Sequence, residues 1–417
     1  MKEYYKNKIS QFVLIIVSVI LLSYIGYNSV QNKSIDRINN LSNLENVNKK
    51  NISPDELYNE AYNIVKHNYY RRDLNNQDWS RWKKRYKNKI TTMEDANVAI
   101  NTMVASLNDP YSRFLTREEF REQNNSINSK LYGIGINIAS ISGKIQIINV
   151  LKGAPADNQG IIPGDIILKI NNIDVAGQSI YQAAQLIRGD KDATVELELL
   201  RGNEKFLKTV KRDEIKVKTV EFKKLDENIG YIRVSSFIGM DTTKDFVIGL
   251  NKLKDTKGLI IDLRGNSGGL FQNAIVIANL FMKRGAIVQV IARHNKKNIY
   301  KASEQGYSYK NPLVILIDEN TASASEILSS ALHDNKRATL VGAKTFGKGL
   351  VQKVFSLPNQ TGMNITIAKY LTPRGEDINN KGINPDYSIN IDHNDFINNN
   401  DSQLVWAKTY LEKEITK

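Results

Sequence analysis

Four apolar runs between residues 229 and 318 constrain the fold more than any other feature of this 417-residue chain. They are IGYIRV, GLIIDL, AIVQVIA and PLVILID, and helical stretches follow Asp241, Leu270 and Thr321. Runs that are apolar at every position are typical of strands covered on both faces. The pattern predicts an α/β core over residues 214–395, and DSQLVWAKTYLEK predicts an amphipathic helix within 396–417.

The first 30 residues carry the signal of a membrane anchor. Lys2, Lys6 and Lys8 precede FVLIIVSVILLSYIGY, an apolar run that approaches the length of a membrane span. No A-x-A-like cleavage site follows, and the lysines favour a cytoplasmic N-terminus. We therefore expect an uncleaved, single-pass anchor in the cytoplasmic (inner) membrane, with the remaining chain on the periplasmic or extracytoplasmic side.

Residues 31–118 are expected to form a polar stalk and a helical region. Ser53-Pro54-Asp55-Glu56 combines a capping serine, a proline in the first turn and a glutamate three residues later, which marks a helix start. This helix should run to about Tyr70. A second helix is predicted after Thr92, and N-D-P-Y-S at 108–112 ends the helical pattern.

Residues 119–213 change to short strands and glycines. Tyr132-Gly133-Ile134-Gly135, then Gly160-Ile161-Ile162-Pro163-Gly164-Asp165, a helix and a strand resemble a circularly permuted bacterial PDZ domain. In PDZ domains, backbone N–H groups of the glycine loop bind a peptide's C-terminal carboxylate. The resemblance implies a carboxylate site at 132–135, with Ile134 and Ile136 lining the side-chain pocket. Arg188, at the end of YQAAQLIRG, is a candidate sensor of the bound tail.

Charge and cysteine content exclude several classes of function. The formal net charge of +14 is spread along the chain, which favours solubility and steering over nucleic-acid binding. The absence of cysteine excludes disulfides, thiol catalysis and cysteine-ligated metal. No cluster of histidine and acid residues has metal-ligand spacing, so neither a metal nor a cofactor is expected.

The stretch LIIDLRGNSGG at 259–269 offers one candidate nucleophile, Ser267, in a G-x-S-G-G context. A trypsin-like protease would need an earlier histidine and aspartate on two β-barrels, and only His67 precedes Ser267. An α/β-hydrolase would need a later acid and histidine. His333 and Asp334 follow, but neighbours on a helix are expected to diverge. Both interpretations are therefore disfavoured.

The segment GAKTFGKG at 342–349 nearly spells a phosphate-binding P-loop. Gly349 stands where a hydroxyl should hold magnesium, and LVQKVFSL continues as a strand instead of a helix. A nucleotide site is therefore disfavoured.

A second candidate nucleophile is Ser323 in N-T-A-S-A-S-E-I, directly after PLVILID. A serine at this strand-to-helix turn would have an exposed hydroxyl beside the N–H groups of the first helical turn. A plain helix cap is the alternative. Lys348 strengthens the catalytic interpretation, because a buried lysine can serve as general base.

Together, T-A-S-A-S-E-I, T-F-G-K-G-L-V-Q, D-L-R-G-N-S-G-G, N-D-P-Y-S and the PDZ-like segment resemble the carboxy-terminal processing peptidases, which use a Ser–Lys pair. The resemblance implies Ser323 as nucleophile, Lys348 as base and Gln352 as the group that orients the amine. It also implies an oxyanion hole from Gly268, Gly269 and Ala324, and a catalytic role for the acidic group of Asp334. The G-x-S-G-G pattern around Ser267 would then be coincidental, and its hydroxyl would have no catalytic role.

We therefore expect a membrane-anchored serine endopeptidase that recognises protein or peptide substrates by their free C-termini. A homo-oligomer formed through the helical region and a regulatory adaptor are further expected partners. The alternatives are a catalytically silent PDZ scaffold and a protease gated by a partner.

Overall fold

The computed structural model describes residues 52–127, 131–141, 143–178, 180–215, 218–390 and 401–417. The predicted anchor lies outside these residues, and no helix within them is long and apolar enough to cross a membrane. The described residues form two compact units, one within 124–218 and one that combines 52–123 with the described residues after 218. The helical region, predicted as a separate domain, is thus part of the same unit as the α/β core.

The helical region begins where the sequence predicts. Ser53 and Glu56 form a reciprocal capping box, and Thr92 and Asp95 form another at the next predicted helix start. The elements are α1 (Pro54–Asn68), α2 (Ser80–Tyr86), α3 (Met93–Ala105), β1 (Arg113–Leu115) and α4 (Arg117–Ile127).

Residues 80–89 carry a dense cluster of positive charge, contrary to the expectation that the charge is spread along the chain. This stretch, SRWKKRYKNK, holds six basic and no acidic residues, all six exposed. The interleaved aromatic residues point inward, because Trp82 is 5% exposed and Tyr86 is partly buried against the core of the helical region. The cations therefore lie on a face without the exposed aromatic platforms that bind single-stranded nucleic acid.

The unit of residues 124–218 is a small β-domain. Its elements are β2 (Leu131–Gly133), β3 (Ile136–Ile141), β4 (Lys144–Val150), α5 (Pro155–Asn158), β5 (Ile166–Ile170), β6 (Ile173–Asp174), α6 (Ile180–Ile187), β7 (Thr194–Arg201), β8 (Glu204–Lys211) and β9 (Asp213–Ile215). The main sheet has the order β3-β4-β5-β7-β8, and β2 pairs with β9. Alternate residues of β7, such as Val195 and Leu197, fill its core.

The remaining elements form two sheets with helices. They are β10 (Val220–Lys224), β11 (Ile229–Val234), α7 (Thr242–Lys252), β12 (Gly258–Asp262), α8 (Phe271–Asn279), β13 (Ala286–Ala292), β14 (Lys296–Lys301), β15 (Leu313–Ile317), α9 (Ala324–Asp334), β16 (Thr339–Gly342), β17 (Leu350–Ser356), β18 (Gly362–Leu371), β19 (Tyr387–Ser388) and α10 (Ser402–Ile415).

The first sheet explains the continuous apolar runs. Its order is β10-β11-β12-β15-β16-β19, and every pair from β11 onward is parallel. Ile261 and Ile315 face the core with α7, α8 and α9, whereas Ile260 and Val314 face α10. Both faces are buried, so both alternating sets of residues are apolar.

The run AIVQVIA departs from the expected arrangement. It forms β13 as predicted, but β13 belongs to an antiparallel sheet with β14 and β18 on either side. His294 and Asn295 take left-handed conformations in the turn that returns the chain into β14. An apolar run indicates burial but not strand direction, which is why the sequence did not separate the two sheets. β18 also pairs with β1 and β17, and so joins the helical region to the segment after Lys348.

Candidate active site

Three loops meet where the parallel strands β12, β15 and β16 end. Ala322 N donates to Asn266 O at 3.0 Å, and Phe346 N donates to Thr321 O at 3.0 Å. These bonds join the RGNSGG loop, the turn before α9 and the lysine loop. The carboxyl edge of a parallel sheet is where ligands bind in open α/β folds.

Ser323 lies at the turn from β15 into α9 in a backbone conformation that residues other than glycine rarely adopt, with φ 56° and ψ −116°. Strain of this kind persists only where the surroundings enforce it. The turn places Ser323 partly exposed at the N-terminus of α9, where helix N–H groups favour negative charge.

Glu326 is the first of two groups that bind the main chain of both Ser323 and Lys348. Its side chain is fully buried, and Oε2 accepts hydrogen bonds from Ser323 N at 2.9 Å and Lys348 N at 2.9 Å. Oε1 accepts from Thr345 Oγ1 at 2.6 Å and Gly347 N at 2.8 Å. One carboxylate therefore ties the Ser323 turn to the lysine loop.

Tyr370 is the second such group. Tyr370 lies on β18, and its single hydroxyl proton is shared between Ser323 O at 3.1 Å and Lys348 O at 2.5 Å. Burial raises the pKa of Tyr370 well above its ordinary value, so the hydroxyl stays protonated and can donate. Glu326 thus holds the backbone N–H groups of Ser323 and Lys348, and Tyr370 holds their backbone carbonyls. We call Glu326 and Tyr370 the main-chain clamps.

Lys348 has the environment of a general base. Burial lowers the pKa of its amine, while Asp109 and Glu326 oppose that effect. Among the residues that the structure describes, its Nζ has no hydrogen-bond or ion-pair partner. Nζ lies instead over the ring of Tyr111, 4.7 Å from the ring centroid. The amine is thus available for proton transfer, but no hydrogen bond joins it to Ser323 Oγ in this state.

Two backbone N–H groups are left open beside Ser323. Gly269 N and Ala324 N donate to no group in the described part of the chain, whereas Gly268 N donates to Asn266 Oδ1 at 2.9 Å. Of the two predicted glycine donors, Gly269 is therefore the one with an open N–H. Gly268 instead allows the RGNSGG loop to lie close to the Ser323 turn, because a Cβ at this position would lie 2.8 Å from both Ala322 O and Ser323 Cβ.

Gln352 and Asp334 lie apart from the predicted Ser–Lys pair. Gln352, beside an irregularity in β17, donates to Thr366 Oγ1 at 3.4 Å and not to Lys348. Asp334 ends α9, eleven residues after Ser323, which is about 16 Å along a helix. There it accepts from Arg374 N at 3.1 Å. This position supports a structural role for Asp334 and gives it no contact with the reacting groups.

His333 and Asp334 do approach each other, contrary to the expectation that they diverge. His333 Nδ1 lies 3.4 Å from Asp334 Oδ1, and Nε2 lies 3.0 Å from Asp386 Oδ1. The side chains of His333 and Asp334 turn toward each other at the end of α9. Ser267, the other candidate nucleophile, is exposed and has no hydrogen-bond partner in the described residues.

In the β-domain, the predicted carboxylate site has open donors. Ile134 N and Gly135 N lie between β2 and β3 and donate to no group among the described residues. The Ile134 side chain is 1% exposed and packs in the domain core, so Ile136, which is partly buried, is the better candidate for the pocket wall. Arg188 is exposed, and its guanidinium has no partner in the described part of the domain.

Several site residues escaped the sequence interpretation. Glu326 had a local signal, since a serine followed three residues later by glutamate is a capping pattern. Tyr111 and Asn266 lie in the N-D-P-Y-S and D-L-R-G-N-S-G-G motifs, but their roles, like that of Tyr370, depend on contacts distant in sequence. Arg212 was also missed: its guanidinium caps α6 by donating to Ile187 O at 2.7 Å and Leu186 O at 3.1 Å.

Glu326→Gln should weaken both stability and activity. An amide offers one acceptor oxygen where the carboxylate offers two, so buried N–H groups lose partners at a cost of about 2–4 kcal/mol in the free energy of unfolding. We expect kcat/KM to fall at least about tenfold, because Tyr370 alone then holds the lysine loop to the Ser323 turn and the two are positioned less firmly. Urea unfolding and initial rates measure the two effects. Glu304→Gln, at a side chain 79% exposed, is the matched control, and equal behaviour of the two variants would contradict the clamp.

Comparisons with known proteins agree with this architecture. The family model for peptidase family S41 matches residues 228–389, that for a PDZ domain matches 146–201, and that for the Tricorn protease C1 domain matches 53–97. The carboxy-terminal processing protease CtpA of Bacillus subtilis is 38% identical over 75% of this chain and 68% of its own length. A carboxyl-terminal-processing protease of Picosynechococcus is 38% identical over 79% of this chain and 82% of its own length.

A solved structure titled photosystem II D1 C-terminal processing protease shares 30% sequence identity and a TM-score of 0.57, covering 82% of this chain and 94% of that one. The β-domain is thus a PDZ domain, as its sequence indicates. With relatives this similar along most of their length, the chain belongs to the carboxyl-terminal-processing proteases, serine-type enzymes of peptidase family S41.

Proposed function

We propose that this chain is a membrane-anchored endopeptidase in which Ser323 is the nucleophile and Lys348 the general base. The main-chain clamps carry the proposal. They bind the main chain of a strained serine at a helix N-terminus and that of a partly buried lysine whose amine has no ion-pair partner among the described residues. A structural serine cap would need neither the strain nor the lysine.

In the proposed mechanism, the neutral amine of Lys348 removes the proton of Ser323 Oγ as Oγ attacks the scissile carbonyl carbon. The N–H groups of Gly269 and Ala324 bind the resulting oxyanion. Lys348 then gives its proton to the leaving amine, and an acyl-enzyme remains on Ser323. Water, deprotonated by Lys348, releases the acyl group, and the proton returns to Oγ. Gln352 would orient the amine once it leaves the Tyr111 ring.

Substrates would be proteins or peptides with free C-termini that the PDZ domain captures. The open N–H groups of Ile134 and Gly135 support this, because consecutive backbone donors bind a carboxylate well. Arg188, exposed and unpaired among the described residues, remains the candidate for sensing the bound tail.

The apolar run at 12–27 supports the anchor and an extracytoplasmic catalytic unit. A gated enzyme is the alternative to a constitutive one: Lys348 Nζ, which lies on Tyr111 without a hydrogen bond to Ser323, would then turn toward Ser323 only after a partner has bound. Tail binding, a regulatory adaptor or self-association would then complete the site. A catalytically silent scaffold is disfavoured, since Ser323 and Lys348 are both present.

Amidation of the substrate's C-terminus tests the proposal. A peptide with an apolar terminal residue and a free carboxylate should be cut about tenfold to a hundredfold faster than its amide, because the amide cannot form charge-assisted bonds to the PDZ loop. Initial rates of the two peptides give the comparison. Acetylation of the N-terminus, which removes a charge at the other end, is the control and should leave the rate unchanged. Equal rates for the acid and the amide would refute recognition of the tail.

A further inference from the structure

The N-D-P-Y-S segment delivers an aromatic ring to the proposed base. Tyr111 comes from the helical region, far from Lys348 in sequence, yet its ring lies 4.7 Å from Lys348 Nζ. The mechanism above gives Tyr111 no chemical role.

The ring is held in place by a turn that is fixed on both sides. Asp109 accepts from Tyr111 N at 3.1 Å and from Ser112 Oγ at 2.6 Å. Ser112 Oγ in turn accepts from Thr366 N on β18 at 3.0 Å, and β1 pairs with the same strand from Arg113 onward. The position of Tyr111 is therefore set by β18, the strand that also carries Tyr370.

We propose that Tyr111 is a positioning residue whose ring face holds the ammonium form of Lys348 between proton transfers. The face of an aromatic ring attracts a cation and has no comparable attraction for a neutral amine. The contact therefore distinguishes the two protonation states between which the base must alternate. This inference rests on the proposed Ser–Lys mechanism.

The main chain of Lys348 suits a side chain that moves between two partners. Glu326 holds its N and Tyr370 its O, so the backbone is fixed while Nζ remains free of hydrogen bonds among the described residues. When charged, the amine is favoured over the ring, and when neutral, it loses that attraction and can turn to Ser323 Oγ. The ring thus acts as the resting position for the proton-carrying state.

The groups that face Lys348 set the sign of the expected effect. Burial lowers the pKa of the amine, whereas Asp109 and Glu326 raise it. The ring of Tyr111 also raises the pKa of Lys348, because it stabilises only the charged form of the amine. Removing the ring should therefore lower the pKa of Lys348, and the acid limb of kcat/KM against pH should move to lower pH.

The test is the pH profile of kcat/KM for the full-length chain with a peptide that has an apolar free C-terminus. Tyr111→Leu should move the acid limb down by roughly 0.5–1.5 pH units. Tyr111→Phe keeps the ring and should keep the wild-type limb. Phenylalanine analogues with increasing fluorination, placed at position 111, keep the shape but weaken the ring's negative face. Their limbs should fall stepwise between those of Phe and Leu.

Tyr86→Leu is the matched control, because Tyr86 is another partly buried tyrosine with a cation over its ring, Arg85, outside the site. Its limb should stay at the wild-type position. Identical limbs for the Phe, fluorinated and Leu forms at position 111 would overturn the role of Tyr111. That outcome differs from failure of the Ser–Lys mechanism, which would appear as an active Lys348→Ala enzyme.

Discussion

Replacing Ser323 with alanine should lower kcat/KM by roughly 10⁴-fold or more, because the acyl-enzyme can no longer form. The protein should still fold, since the groups that hold this turn bind main-chain atoms of residue 323: Glu326 its N and Tyr370 its O. Peptide cleavage rates and thermal unfolding of the same preparation measure the two expectations.

The control for this experiment is a substitution of Ser267, the serine of the RGNSGG loop. Ser267 is exposed and makes no hydrogen bond among the described residues, so Ser267→Ala should keep activity within about a factor of two. An active Ser323→Ala together with an inactive Ser267→Ala would reverse the assignment and restore the hydrolase-elbow interpretation.

Lys348→Ala should lose roughly 10³–10⁴-fold in kcat/KM, and Lys348→Arg should not restore it, because a guanidinium stays protonated and cannot accept the serine proton. In the wild type, burial lowers the pKa of Lys348, and only the neutral amine is a base. The rate should therefore rise with pH through this pKa and then level off. Rates at saturating and at low substrate, measured across pH, establish the profile.

Lys344 provides a matched comparison within the same loop. It is exposed and does not contact Glu326 or Tyr370, so Lys344→Ala should retain both the rate and the pH profile. A fully active Lys348→Arg enzyme would eliminate lysine as the base, whatever the behaviour of Lys344→Ala.

The sequence predicted the helix starts at Ser53 and Thr92 and the parallel strands β11, β12 and β15, because capping patterns and apolar runs are local properties. It did not predict that β13 joins a second sheet, since burial does not specify a pairing partner. The assignment of Asp334 came from position in a family motif alone. Helix geometry separates that carboxylate from Ser323 by nearly the whole length of α9.

Contacts between distant segments explain what else was missed. Tyr111 reaches Lys348 only because β1 pairs with β18, and Glu326 reaches the lysine loop only because β15 and β16 are neighbours in the sheet. Neither pairing leaves a pattern within a short window of sequence. Gly268 and Gly269 were recognisable as a pair, yet the hydrogen bond from Gly268 N to Asn266 decides which N–H remains open.

The main-chain clamps also have a practical meaning for isolating what this protease cuts. The side chains of Glu326 and Tyr370 bind main-chain atoms of residues 323 and 348, so an alanine at position 323 keeps these bonds and leaves the scaffold around the scissile bond in place. Such an inactive chain should still admit a polypeptide tail and retain it uncut. It would serve as a capture reagent whose bound proteins, identified by mass spectrometry, are intact substrates rather than fragments.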